Sequence, residues 1–323
     1  MLRDLSGPAA PRVAVLIPCH NEAAAIADVL REFSQVLPEA RLHVFDNAST
    51  DNTAAIATAA GAQVTHVGRR GKGEVVRRMF ADIEADVYVM VDGDATYDPS
   101  HVREHIDQLL SQQLDMLVGH RQDDPRDAGT YRPGHRWGNR LLTHVVTRLF
   151  GGGFSDMLSG YRVFSRRYVK SFPAMARGFE TETELTVHAL ELRMPHGEVP
   201  VVYRSRPEGS TSKLSTLRDG RRILHTIFTL FVSERPLRFF LSLALLLALI
   251  SLGLSVPLWL TYVQTGLVPR LPTAVLSMGL MLAAFLAGTA GLILDTVTRG
   301  RWEAKRMAYL AIPGPQNLDK HPK

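Results

Sequence analysis

The chain has 323 residues, of which 46% are hydrophobic and 21% charged, enough for one large domain or two modest ones with a sizeable core. Its single cysteine, Cys19, excludes an intrachain disulfide and gives no support for a cysteine-based zinc site. The net charge of +5 admits nucleic acid, an anionic membrane or a phosphate-rich substrate as partner without choosing among them.

Asp4, Pro8 and Pro11 interrupt the amino terminus, and the apolar run Val13 to Ile17 is too short for a secretory signal, which predicts that the bulk of the chain stays in the cytosol. Val13 to Ile17 reads as a strand closed by Pro18. Asn21-Glu22 opens an alanine-rich helix towards Val36, with Asn21 as its cap. Cys19 and His20 would point to opposite sides of a strand, so Cys19 reads as a packed residue rather than half of a catalytic pair.

Leu42 to Phe45 is a second strand, delivering Asp46-Asn47-Ala48-Ser49-Thr50-Asp51 to its end, and a helix through Ile56 follows. Gln63 to Val67 reads as a third strand and Gly73 to Ile83 as a helix. Between them, Arg69, Arg70 and Lys72 suit either a diphosphate or a solvated basic turn. Gly71-Lys72-Gly73-Glu74 lacks the spacing and the Ser/Thr of a P-loop, and no Gly-x-Gly-x-x-Gly follows the first strand.

Val87 to Val91 is a continuous apolar run, the pattern of a strand covered on both faces, and it ends in Asp92-Gly93-Asp94. Two carboxylates two positions apart project to one side and suit a hard divalent cation, although an isolated Asp-Gly-Asp also describes an acidic turn. Alternating strands and helices imply right-handed crossovers and a parallel sheet, whose ligands bind outside the carboxyl ends of the strands. Pro18 to Glu22, Asp46 to Asp51 and Asp92 to Asp94 all fall at such ends, and that convergence favours a site.

Further on, a helix Gly138 to Phe150 leads into Gly151-Gly152-Gly153, either a hinge for the loop Asp156 to Arg162 or a linker. Glu180, Glu182 and Glu184 alternate with threonines. That spacing predicts an extended lead into a helix Leu185 to Leu192, with Glu180 and Glu182 solvated or paired with arginines. His101, His105, His144, His188 and His225 read as helix residues without a metal role.

The carboxyl-terminal third changes character. Leu217, Leu224, Ile227, Phe228 and Phe231 recur at helical spacing opposite Arg218, Arg221 and Arg222, the pattern of a helix lying on a membrane or packed on the soluble domain. Phe239 to Tyr262 and Leu271 to Leu294 are charge-free apolar stretches long enough to span a bilayer as a hairpin. Arg221, Arg222, Arg235 and Arg238 precede the first, Arg299, Arg301, Lys305 and Arg306 follow the second, and the loop holds only Arg270, which predicts cytoplasmic termini. After Met307, Pro313 and Pro315 predict a disordered tail.

Pro18-x-x-Asn21-Glu22, Asp46-Asn47-x-Ser49-Thr50-Asp51-x-Thr53, Asp92-Gly93-Asp94 with Pro99, Gly119-x-Arg121 and Ser159-Gly160-Tyr161-Arg162 stand in an order that resembles family 2 glycosyltransferases. The branch most resembled is that of polyprenyl-phosphate glycosyltransferases, dolichyl-phosphate mannose synthase and the bacterial glucosyltransferases. The resemblance runs from Val13 to Ile227, and the two-helix tail matches one version of that branch. It implies a GT-A fold, a Rossmann-like α/β domain with a mostly parallel sheet. It also implies a nucleotide-sugar donor, Mg²⁺ or Mn²⁺, and a polyprenyl phosphate acceptor. By that match Pro18, His20, Glu22 and Asp46 hold the nucleoside, Asp92 and Asp94 the metal, and Gly93 the diphosphate. Arg121 matches the family's Gly-Ser-Arg arginine, with His120 in place of the serine. Arg206, Ser212 and Lys213 resemble a segment that approaches the phosphates, with one residue more than the family spacing. Ala95-Thr96-Tyr97 stand where the family often has Leu-Gln-His, which leaves a third metal ligand unassigned, and Glu184 is the family-like acidic position in the later helix.

The chemistry follows without the family. A sugar leaving a nucleoside diphosphate builds negative charge on the diphosphate, which a cation stabilises. A phosphate monoester with a second pKa of about 6 is already a charged nucleophile at neutral pH, so the site needs cationic positioning more than a strong base. Arg121, Arg162, Arg206 and Lys213 are candidates for that clamp, and inversion at the anomeric carbon is the expected outcome. Asp156 lies where inverting relatives acting on hydroxyls place a base, but it suits orienting Arg162 or capping a helix as well. The expected organisation is a tail 1–11, a catalytic domain 12–213, an interfacial helix 214–236, a transmembrane hairpin 237–296 and a basic tail 297–323. The enzyme would be an integral protein of the inner membrane with a UDP-hexose donor, lipid neighbours and no nucleic acid, and an apolar face near Ile227 suited to a second copy. GDP-mannose as donor, a hydroxyl acceptor in polysaccharide synthesis, and a non-catalytic scaffold are the alternatives; two spans and no Gln-x-x-Arg-Trp speak against a polysaccharide synthase.

Overall fold

The computed structural model describes residues 10–123, 143–176, 178, 180–207 and 216–315, without the side chains of 216–223 and 226. The predicted start of the helix at Gly138, Ser212, Lys213 and the side chains of Arg218, Arg221 and Arg222 lie outside what it describes. The chain forms two compact units, one running to Leu224 and taking in residues from Lys305 on, the other His225–Ala304.

Among the described residues, the first unit is built on a sheet of seven strands. They are β1 (Val13–Cys19), β2 (Arg41–Asp46), β3 (Gln63–His66), β4 (Val87–Met90), β5 (Met116–Asp123), β6 (Arg162–Ser165) and β7 (His196–Tyr203), in the order β3-β2-β1-β4-β6-β5-β7. All run the same way except β6, which is antiparallel to both β4 and β5. This is a GT-A-like sheet. Its helices are α1 (Ile26–Val36), α2 (Thr53–Ala59), α3 (Lys72–Asp82), α4 (Val102–Ser111), residues 143–150 (α5), α6 (Arg166–Ser171) and α7 (Thr181–Glu191).

Burial follows the alternation of the pleat. Val13, Val15, Ile17 and Cys19 of β1 join one core with Ile26, Leu30 and Phe33 of α1 and Val102, Ile106 and Leu109 of α4. Each such large side chain contributes about 1.5–3 kcal/mol on leaving water. On α3, Val75, Val76, Met79 and Phe80 are buried, and Phe80 meets Phe164 and Phe172 edge-on. β4 is buried throughout, as its unbroken apolar run requires.

Three expectations about the first unit and the tail need correction. Asn21 does not cap the first helix: α1 starts at Ile26, and the Glu22 carbonyl accepts the Ala25 and Ile26 N–H groups. Asn21 itself has φ 53°, a left-handed conformation that asparagine tolerates because its short side chain bonds locally. Residues 180–185 are not extended: α7 begins at Thr181, and Glu182 and Glu184 lie in its first turn, where carboxylates favour the exposed N–H groups. The basic tail is not disordered from Met307. The helix α10 (Leu271–Leu310) runs on, and within the first unit the Tyr309 hydroxyl donates to Asp115 at 2.7 Å while Lys305 pairs with the buried Glu191 at 3.0 Å.

The second unit comprises the end of α8 (Thr216–Glu234), α9 (Pro236–Thr265) and α10 up to Ala304. α9 and α10 are each long and apolar enough to cross a membrane, and only 6% and 17% of their apolar windows are buried, unlike helices of a soluble core. Both point to membrane association. Ser277, Ala284, Gly291 and Thr298, one every seven residues, are the buried positions of α10, a seam of small side chains that lets backbones approach. A Cβ at Gly291 would sit 2.9 Å from Phe240 Cβ, and Ser251 donates to the Ser277 carbonyl at 2.7 Å. Ile227 is buried, and among the described side chains of α8 the exposed large apolar ones are Leu224 and Phe228, rather than the expected face around Ile227.

Candidate active site

The carboxyl ends of β1, β2 and β4 form one edge of the sheet. β6 runs the opposite way, so its amino end, preceded by Ser159-Gly160-Tyr161, is delivered to that same edge, with Arg162 opposite Met90 and Val118. A side chain at Gly160 would collide with the Asp92 carboxylate, and one at Gly93 would come within 2.5 Å of Cys19 Sγ. Both glycines are there for close approach, and Cys19 is buried as a packing residue.

At the β1–β2 side, two loops are laced together. Asn21 N–H donates to Ser49 Oγ (2.9 Å), Thr50 N–H to Asn21 Oδ1 (2.7 Å) and Glu22 N–H to Thr53 Oγ1 (2.8 Å), while Asp51 holds the Thr53 hydroxyl. Pro18 and His20 are half-buried and Glu22 is buried in this corner. Asp46 is 4% exposed; its Oδ2 accepts from Ser49 N–H at 3.4 Å and faces His66 Nδ1 at 3.2 Å, whereas Oδ1 is buried with no hydrogen-bond partner among the described residues. Asn47 bonds the carbonyls of Val67 and Arg69 and accepts from Gly71 N–H, fixing the turn that places Lys72.

Lys72, which the sequence left between a diphosphate ligand and a solvated basic turn, lies between two carboxylates. Its Nζ lies 2.5 Å from Asp92 Oδ1 and 2.6 Å from Glu182 Oε1. Burial works against its ammonium, but the two carboxylates outweigh it and hold its pKa well above the ordinary lysine range. Glu182 is therefore neither solvated nor arginine-paired, as its spacing suggested; the first turn of α7 turns it inward. Glu184 instead accepts the Met175 and Ala176 N–H groups at 2.8 Å each and closes a loop.

Asp94 is buried, taking the Thr96 hydroxyl at 2.6 Å on Oδ1 and Arg206 Nη2 at 2.6 Å on Oδ2. Burial, and then the neighbouring Asp92 charge, push its pKa above the usual carboxylate value. The segment after it is stitched to β7: Arg204 N–H donates to Thr96 O and Asp98 N–H to Val202 O, which brings Arg206 to the edge. Tyr97 faces Ser159 Oγ at 3.3 Å and accepts Gly160 N–H at 2.9 Å.

Arg121, at the end of β5, makes a two-pronged pair with Asp156, Nε to Oδ2 at 2.7 Å and Nη2 to Oδ1 at 2.9 Å. Asp156 thus orients Arg121, not Arg162. Arg162 is fully buried and donates to the carbonyls of Ser159, Met157 and Glu182 and to Thr186 Oγ1, so it cannot reach an acceptor. Burial lowers its pKa from the ordinary guanidinium value, these bonds offsetting only part of the cost, and its expected place in a phosphate clamp is corrected to a brace under the Ser159 turn.

The Glycosyl transferase family 2 profile matches residues 14–172. Glycosyltransferase AglJ of Haloferax volcanii is 34% identical over 256 residues, covering 79% of this chain and 83% of that protein. The dolichyl-phosphate hexose transferase of the same organism is 26% identical, over 69% and 95% of the two chains. Among solved structures, glucosyl-3-phosphoglycerate synthase from Mycobacterium tuberculosis, in complex with Mn²⁺, UDP-glucose and phosphoglyceric acid, superposes with a TM-score of 0.55 at 23% identity, over 68% of this chain and 80% of that one.

Proposed function

The chain belongs to the family 2 glycosyltransferases and is a nucleotide-sugar-dependent hexosyltransferase, and from that premise we propose that its acceptor is a polyprenyl phosphate at the cytoplasmic membrane face. The observation that carries this reading is the engagement of both Asp156 oxygens by Arg121. The acceptor side offers a cation where a hydroxyl acceptor would need a base. A phosphate monoester, with its second pKa of about 6, arrives ionised, and Arg121 and Arg206 suit its oxygens; Ser212 and Lys213 would extend that clamp. A relative named for dolichyl-phosphate hexose transfer and the two apolar helices support the same choice.

Asp46, with Pro18, His20 and Glu22 around it, offers the nucleoside an acceptor oxygen that has no partner among the described residues, and Gly93, packed against Cys19, holds the backbone at the strand end where the diphosphate would lie. Asp92 and Asp94 fit a divalent cation: both are oxygen donors at one strand end, and burial together with the neighbouring Asp92 charge raises the pKa of Asp94. Among the described residues no third His, Cys, Asp or Glu joins them, so diphosphate and water oxygens would complete the shell, the habit of Mg²⁺ and Mn²⁺. Once bound, the cation stabilises the charge that develops on the leaving diphosphate. For this chain's own residues, binding asks Lys72 and Arg206 to yield Asp92 and Asp94 and to turn towards phosphate. Direct displacement then inverts the anomeric carbon.

The donor favoured is a UDP-hexose, glucose or N-acetylglucosamine, with GDP-mannose the alternative. The arginines flanking the hairpin favour cytoplasmic termini. Full-length protein with Mg²⁺ or Mn²⁺ and each of the three donors, given polyprenyl phosphate or unphosphorylated polyprenol, tests the reading. A lipid-linked sugar formed only from the phosphate is expected. No product from any donor, or equal use of polyprenol, sinks it.

A further inference from the structure

We propose that Arg235, stacked on Trp302 where α8 passes into α9, is a binding site for the phosphodiester headgroup of an anionic phospholipid. The inference rests on the membrane association of the hairpin and is independent of the donor and acceptor proposed above.

Every group of this corner lies within the second unit. Arg235 is the single residue between α8 and α9, half-buried, with its guanidinium carbon 4.9 Å from the centre of the Trp302 ring. Its Nε is buried with no hydrogen-bond partner among the described residues. The neighbouring carboxylate does not serve it: Glu234 takes the Trp302 indole N–H at 2.6 Å on Oε2 and Arg301 Nη2 at 3.2 Å on Oε1. The Ser233 carbonyl likewise accepts from Thr298 Oγ1 at 3.0 Å and from Arg301 Nη2 at 2.9 Å. The acceptors at the end of α8 are thus committed to other donors, and a buried N–H left over is kept where a ligand supplies the acceptor.

The geometry names the ligand. Stacking uses the face of a guanidinium and leaves its in-plane N–H groups, a planar fork that matches two phosphate oxygens. Arg235 lies four residues, about 6 Å along a helix, before the apolar stretch that starts at Phe239, which is the depth of headgroups rather than of acyl chains. An indole such as that of Trp302 suits the same level. α9 starts at Pro236, so the positive end of a 30-residue helix dipole adjoins the guanidinium. Across residues 233–238 and 295–304, four arginines stand against three carboxylates, which leaves a positive excess. That excess repels the ammonium of a zwitterionic headgroup and favours a phospholipid of net negative charge, such as phosphatidylglycerol.

The test titrates the full-length protein in uncharged detergent, without donor or metal, with phosphatidylglycerol, phosphatidylcholine or polyprenyl phosphate. Native mass spectrometry reads the affinity of the first bound lipid in wild type, Arg235→Gln, Arg235→Lys and Arg299→Gln. Arg299 is exposed and paired with Asp295, so its variant removes the same charge from the same end of the hairpin without touching the site. The wild type is expected to prefer phosphatidylglycerol to phosphatidylcholine. That preference should fall about fivefold or more in Arg235→Gln, the scale of one arginine at an anionic surface. It should fall less in Arg235→Lys, which keeps the charge but loses the fork, and hold in Arg299→Gln. Equal losses in Arg235→Gln and Arg299→Gln reduce the effect to diffuse charge and overturn the site. A wild type that binds the two phospholipids alike overturns it as well, a result that needs no variant to fold. Polyprenyl phosphate bound in preference to phosphatidylglycerol, and lost in Arg235→Gln, would give the site to the acceptor instead.

Discussion

Two buried carboxylate clusters occupy opposite ends of the same sheet, and they are satisfied to different degrees. At the amino end of β5, Asp115 is fully buried and accepts from Ser165 Oγ (2.7 Å), Arg167 Nε and Nη2 (2.8 Å each) and Tyr309 hydroxyl (2.7 Å), so both oxygens are used. At the carboxyl ends, Asp46 Oδ1 and Glu182 Oε2 are buried without hydrogen-bond partners among the described residues, and Asp94 is crowded by Asp92. A complete network holds parts of a fold together. An incomplete one of the same residue types waits for a ligand, because the chain gains nothing by burying an unmet acceptor for its own sake.

The contrast can be broken from either end. Asp94→Asn should lower product formation by about 10²–10³-fold, the scale of losing a group that stabilises developing charge, and leave the melting temperature unchanged or raised, since a raised carboxyl pKa marks a charge the fold carries at a cost. Product assays beside thermal melts check this, and retained activity removes Asp94 from the site. Asp115→Ala should do the reverse, destabilising the catalytic unit by about 3 kcal/mol by stranding Arg167 while the rate per folded molecule holds. Denaturant unfolding followed by activity of the native fraction decides; a rate loss without destabilisation would merge the two clusters.

The smallest effect comes from a group in neither cluster. Burial lowers His105 to about 4, and its ring faces the Tyr161 hydroxyl at 2.8 Å. An unfolded histidine titrates near 6.5, so the unfolded chain takes up the proton first: the stability is present above about pH 6.5 and is lost as pH falls towards 4, by on the order of 2 kcal/mol near pH 4.5. Melting temperatures from pH 7 to 4.5 should fall less steeply in His105→Gln, and identical slopes would refute the assignment.

Much of the fold was legible because its signals are local. The apolar runs of β1 to β4 and their loops announce a parallel sheet with ligands at one edge, and Asp46, Asp92 and Asp94 fall on that edge by strand polarity alone. The errors have a common cause. Arg162 looked like a phosphate ligand because its motif places it near one, yet register turns it inward under the Ser159 turn. Period-two acidic residues from 180 to 184 looked extended, but the close packing of α3 on α7 makes them a helical turn and aims Glu182 at Lys72.

The sequence by itself determined the class of the chain, the sheet that carries the site, the acidic pair at its edge and the apolar helices, since each is written in contiguous residues with a fixed period. Only the tertiary structure decided which charges meet. The pairings Lys72 with Asp92 and Glu182, Asp156 with Arg121, and Asp115 with Tyr309 join residues between 20 and 194 positions apart. No local rule reaches across such separations; packing and the antiparallel course of β6 set them, and with them the difference between a cluster whose acceptors are all met and one that the proposed function gives to a sugar nucleotide.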